Sequence, residues 1–143
     1  MACVNFAPAL VSQKFSEGYP KLRKLRPELN AHMEAARATH PDDVEAQREE
    51  KDRFIREQGI TPATLDDVAD HIEYLADVGG WDHVGIGTDW EGTGGHHPRH
   101  LEDVSKIPLL TAELLRRGHG ESEIRKVLGE NMLKVLEETQ EVE

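Results

Sequence analysis

The chain has 143 residues, 28 acidic against 17 basic side chains, and a formal net charge of −11. That length suits one domain and falls short of the roughly 250 residues of a complete (β/α)8 barrel, and the acidic balance argues against nucleic acid or an anionic membrane surface, both of which need a positive patch. With 31% charged residues there is no apolar run of the ~20 positions a transmembrane helix needs, and Cys3, as the only cysteine, excludes an internal disulfide and a cysteine-based zinc knuckle.

Taken in chain order, Met1 to Phe6 reads as a strand that Pro8 stops. The chain thus starts inside an element of buried character, and a truncated domain is one expectation. No basic n-region or long apolar segment marks a signal peptide, so a reducing, cytoplasmic setting is expected. Residues 11–59 are rich in charge and in strong helix formers. Pro27 opens a predicted helix over 28–39 and Pro41 opens another over 42–58, with Asp42, Asp43 and Glu45 at its positive end and Gly59 as its C-cap. Apolar residues are sparse in the second of these, so 11–59 is expected to be a solvent-exposed helical insertion, and its charge run 47–53 a solvated face.

From residue 60 the periodicity tightens. Thr64 caps a predicted helix in which Leu65, Val68, Ala69, Ile72, Leu75 and Ala76 recur at helical spacing, ended by Gly79-Gly80. A short strand over 83–88 follows, with glycines at 85 and 87 that mark close approach of another backbone or a ligand. A polar loop over 89–105 leads to a helix over 108–117 closed by Gly118, and to a last helix from Ser122 to about Glu138 that Gly129 can kink. Strand alternating with helix implies parallel β/α units. Two strands do not make a stable, doubly covered parallel sheet, so the sheet is expected to continue in residues outside this chain or in another chain.

The run Gly85-Ile86-Gly87-Thr88-Asp89-Trp90-Glu91-Gly92 carries the strongest chemical signal. A polar residue at the C-terminal end of a β/α strand reads as catalytic, and the Asp89 carboxylate there can take a proton from water or bind a cationic amine. The alternative is that Asp89 only opens a turn; Glu91, two residues on, could form a carboxylate pair with it but is expected to face solvent. His96, His97 and His100 lie within five residues, and imidazole is the commonest metal ligand. Their spacing is not that of a helical zinc pair, and a solvated loop with weak metal binding at most is expected. His32, His40, His71, His83 and His119 are scattered. There is no glycine-rich phosphate loop and no serine in a triad context.

Several separated stretches resemble the membrane dipeptidase (renal dipeptidase, peptidase M19) family, and specifically its C-terminal portion. They are Val4-Asn5-Phe6-Ala7-Pro8, Leu65-Asp66-Asp67-Val68-Ala69-Asp70-His71-Ile72, Asp82-His83-Val84-Gly85-Ile86-Gly87-Thr88-Asp89-Trp90-Glu91-Gly92, Leu101-Glu102-Asp103-Val104-Ser105-Lys106-Ile107-Pro108 and Ile124 through Val135. The resemblance implies an α/β fold: about the last two β/α units of a metal-dependent-hydrolase TIM barrel, with residues 11–59 as a helical insertion and 60–143 as the last unit and the C-terminal helices. It implies hydrolysis of dipeptides by a water activated on two zinc ions, with a proton-transferring aspartate that carries over onto Asp89. The family's zinc ligands, a His-x-Asp pair, a glutamate and two histidines, have no counterpart here. The reading is therefore a C-terminal fragment of a zinc dipeptidase, inactive alone, with a dipeptide as substrate once an upstream polypeptide or a second copy completes the site. The alternative is a non-catalytic binding or assembly module derived from the same fold. No metal ligand is assigned in this chain.

Overall fold

The computed structural model describes residues 1–140. The chain runs β1 (Ala2–Val4), α1 (Pro8–Val11), α2 (Gln13–Lys24), α3 (Arg26–Thr39), α4 (Val44–Glu57), α5 (Leu65–Gly79), β2 (Val84–Ile86), α6 (Ile107–Arg116), α7 (Glu121–Arg125) and α8 (Asn131–Gln140). β1 and β2 pair in parallel, with Ala2 beside Val84, Cys3 beside Gly85 and Val4 beside Ile86. The pairing extends past the strands proper: Gly87 N–H donates to the Val4 carbonyl and Phe6 N–H to the Thr88 carbonyl, each at 3.0 Å. Gly87 is required by close approach, because a Cβ there would lie 2.9 Å from the Cβ of Cys3.

This architecture corrects the expected one. The described residues are largely helical, and their only sheet is an open pair of three-residue strands. No barrel is present among the described residues: closure takes eight strands whose hydrogen bonds return to the first, and here each strand pairs only with the other. The parallel pairing itself follows from the alternation of strand and helix.

Two apolar clusters organise the packing. The larger joins Val4 of β1 and Phe6 just after it, Val84 of β2, the Val68–Ala69–Ile72 face of α5, Leu101, and Leu110, Leu114, Ile124 and Val127 from the C-terminal helices. The smaller joins Phe15 and Leu22 of α2, Leu29 of α3, Ile55 of α4, and Ile60 and Ala63 beyond it. Residues 11–59 are thus not merely a solvated layer, because they bury an apolar interior of their own. Each of their helices contributes one or two residues to it, which is why no single stretch showed a strong stripe. α2 also carries Pro20 in its interior, where the missing N–H removes a helical hydrogen bond.

Helix ends follow their residues. Asp67 accepts from Thr64 N–H at 2.7 Å and closes a capping box at the start of α5. The continuous last helix expected from Ser122 is broken at Gly129, whose φ of 166° and ψ of −22° are non-helical, and α8 starts after the break. Its first residue, Asn131, is buried and donates from Nδ2 to the carbonyls of Trp81 (2.7 Å) and Val84 (2.8 Å), tying α8 to β2. α5 and α6 are clasped by Arg117, which reaches Asp70 (2.6 Å), Glu73 (2.7 Å) and Glu113 (2.7 Å). Hydrogen bonds from Arg116 and Arg117 hold the Glu113 carboxyl down at about 2. Among the described residues no helix is long and apolar enough to cross a membrane.

Candidate functional site

The C-terminal ends of the two parallel strands bring Asn5 and Asp89 together. Asn5 Nδ2 donates to Asp89 Oδ2 at 3.0 Å across 84 residues of sequence. The Asn5 amide is itself oriented, because its Oδ1 accepts from Ala7 N–H at 2.7 Å. Asp89 takes a left-handed backbone, φ 59°, a conformation that Asp tolerates better than most residues. Its carbonyl, not its carboxylate, closes the following turn by accepting from Gly92 N–H at 3.0 Å. The carboxylate is thus left exposed at the strand ends, and its packing requires Gly92: a Cβ at position 92 would stand 2.1 Å from Asp89 Oδ1. Replacing Gly92 by Ala is expected to displace the carboxylate without removing it. NMR of the side-chain amide of Asn5 checks this: loss of its hydrogen-bonded shift is the predicted outcome, and an unchanged signal contradicts it.

Behind the pair, Phe6 is fully buried and meets Trp90 edge to face, with ring centroids 6.0 Å apart. Trp90 Nε1–H donates to the Leu101 carbonyl at 3.0 Å, which anchors the turn to the far end of the polar loop. Arg99 bridges that loop to the start of α5, donating from N–H to Ala63 (2.8 Å) and accepting from Leu65 N–H (2.9 Å). Glu91 is exposed, as expected.

The histidine loop differs from its expected solvated state. His96 turns inward, its ring 6.2 Å from that of Phe15 and 6.3 Å from that of Tyr19. Burial, reinforced by the nearby Lys51 charge, lowers its pKa from 6.5 to about 4. The unfolded chain therefore takes up this proton first, and stability that is complete above pH 6.5 is lost as pH falls toward 4. His96→Phe is expected to flatten the pH dependence of urea unfolding across that window, and an unchanged slope would remove His96 from it. His97 Nδ1 lies 3.2 Å from Thr93 Oγ1, and His100 is exposed with a φ of 68°. The three imidazoles do not converge. Among the described residues no group of three or more His, Cys, Asp or Glu side chains is placed to hold a metal ion. These residues do not fit a zinc pair, and the zinc site that the resemblance implied is not found among the described residues.

Sequence reasoning placed Asp89 and missed its partner. Asn5 was readable as a polar residue ending a strand, but nothing local pairs it with a position 84 residues away. Lys51 and Glu102, which face a cavity under the histidine loop, were also missed.

Comparison with known proteins supplies the remaining context. The family model described as "Membrane dipeptidase (Peptidase family M19)" matches residues 1–143. The chain belongs to this family. The membrane dipeptidase match runs over the whole chain, which corrects the expectation of a resemblance confined to a C-terminal portion. The family is one of metallodipeptidases. A dipeptidase of Schizosaccharomyces pombe is 43% identical over 88 residues, covering 61% of this chain and 21% of that protein. The dipeptidase aclJ of Aspergillus oryzae is 40% identical over 111 residues, covering 71% of this chain and 26% of its own length. The chain spans about a fifth to a quarter of the length of these curated relatives. Among solved structures, the probable dipeptidase PvdM of Pseudomonas aeruginosa superposes with a TM-score of 0.56 at 26% identity, over 92% of this chain and 35% of that one.

Proposed function

We propose that this chain serves in dipeptide hydrolysis, with Asp89 as the group that moves a proton between the attacking water and the departing amine. The observation that carries this reading is the Asn5–Asp89 pair at the C-terminal ends of two parallel strands, the end at which α/β proteins bind ligands. The Asn5 amide engages Oδ2, while Oδ1 accepts no hydrogen bond among the described residues and is free for a proton. A carboxylate held by one neutral donor stays mobile toward water, unlike one locked by an arginine fork.

The metal ligands of the active assembly come from polypeptide other than this chain. Two features support an incomplete surface. Each strand leaves one edge unpaired among the described residues, and α8 exposes Met132, Leu133 and Leu136. The test is hydrolysis of a dipeptide panel by the purified chain with added zinc. No turnover above the buffer rate is expected, and steady turnover by the chain alone would overturn the assignment of the metal ligands to other polypeptide.

A further inference from the structure

A cavity of about 280 Å³ lies between α3, α4 and the 94–99 loop, apart from the Asn5–Asp89 pair. Three charged groups on its wall, Arg48, Asp52 and Arg99, are already matched. Asp52 pairs with Arg99 at 3.0 Å, and Arg48 pairs with Asp103 at 3.1 Å. Arg37, exposed at the rim, forms no ion pair among the described residues, and three further groups are unmatched. Lys51 Nζ donates to the Gly95 carbonyl and forms no ion pair with a carboxylate among the described residues. His96 Nδ1 is buried without a hydrogen-bond partner. Glu102 Oε2 is likewise buried and unpartnered, while its Oε1 accepts from His100 N–H at 2.8 Å. Leaving such groups unpaired is costly, and two orphans on residues that line one cavity call for an occupant that supplies what each lacks.

The unmatched groups have opposite requirements. The Lys51 ammonium and, when its Nδ1 carries the proton, His96 are donors seeking an acceptor, whereas Glu102 Oε2 seeks a donor. A simple anion would answer the first two and repel the third, and a simple cation would do the reverse. The remaining wall includes Phe15, Met33 and Ile55, which offer an apolar surface. We propose that this cavity binds a free α-amino acid as its zwitterion, with the carboxylate received by Lys51 and His96, the ammonium by Glu102, and an apolar side chain against Phe15, Met33 and Ile55. Burial has already pushed the Lys51 ammonium down to about 8, so a carboxylate arriving beside it restores a favourable charge environment. The inference rests on the cavity alone and does not depend on the peptidase reading.

The experiment is calorimetric titration of the full chain at pH 7 with L-leucine, 4-methylpentanoate (no ammonium) and 3-methylbutylamine (no carboxylate), with His96 ring signals followed by NMR. L-Leucine is expected to bind, to shift the His96 ring, and to bind at least about tenfold more tightly than either analogue, since each analogue leaves one buried charge unanswered. Lys51→Met and Glu102→Gln, each checked for native circular dichroism, are expected to weaken L-leucine at least about tenfold. Equal binding of 4-methylpentanoate and L-leucine would overturn the zwitterion assignment. So would the absence of any His96 shift at saturating L-leucine, or unchanged affinity in both variants.

Discussion

Asp89→Asn is expected to lower dipeptide turnover by about 10²–10⁴-fold, the usual contribution of a general acid–base group. The setting is a chimera in which this chain replaces its counterpart in the Aspergillus oryzae dipeptidase, with which it aligns over 111 residues, so that the relative supplies the remaining polypeptide. The substitution is a narrow probe. An amide at position 89 still offers an oxygen to Asn5 Nδ2, so the 3.0 Å hydrogen bond and the left-handed turn persist. What is lost is the ability to take a proton. The loss is expected in kcat, with KM little changed, and the limb of the pH–rate profile that reports the carboxylate should vanish. An Asp89→Asn chimera with unaltered kcat removes Asp89 from the chemistry.

The largest effect on stability is expected from Phe6→Ala. Phe6 is fully buried in the larger cluster and supports Trp90 from below. Its removal leaves a ring-sized cavity in a region pinned by backbone hydrogen bonds on either side, Phe6 N–H to Thr88 and Gly87 N–H to Val4, so collapse is restricted. A cost of about 3–5 kcal/mol follows, read as a lower urea midpoint at unchanged m-value. Phe6→Leu refills most of the volume and is expected to cost less than half as much. Phe6→Ala within about 1 kcal/mol of the parent would show that the clusters are not packed as described. Because Asn5 and Asp89 flank the Phe6–Trp90 contact, the same substitution is expected to loosen the Asn5–Asp89 hydrogen bond.

Much of the local structure was legible, because short-range chemistry specifies it. Thr64 and Asp67 cap α5, the 65–76 stripe faces the core, and Gly129 breaks the last helix. β2 itself was also legible, although it ends at Ile86 and not at Thr88, with Asp89 just beyond it. What escaped depends on contacts distant in sequence. The smaller cluster assembles from Phe15, Leu22, Leu29, Ile55 and Ile60, which four separate segments contribute, so no one segment carries more than two of them. His96 is polar and follows two glycines, so it reads as solvated, yet Phe15 and Tyr19 of α2 enclose it. The barrel was inferred from resemblance rather than from the strands, and two three-residue strands do not build one.

As proposed, this chain supplies the proton-carrying carboxylate of a dipeptidase site and not its metal set. Side-by-side hydrolysis assays of the chain alone and of the chimera, with zinc present, test it most directly. The predicted result is turnover by the chimera, its loss in the Asp89→Asn chimera of matching thermal stability, and none by the chain alone. Turnover by the chain alone, or an Asp89→Asn chimera as fast as its parent, would contradict it.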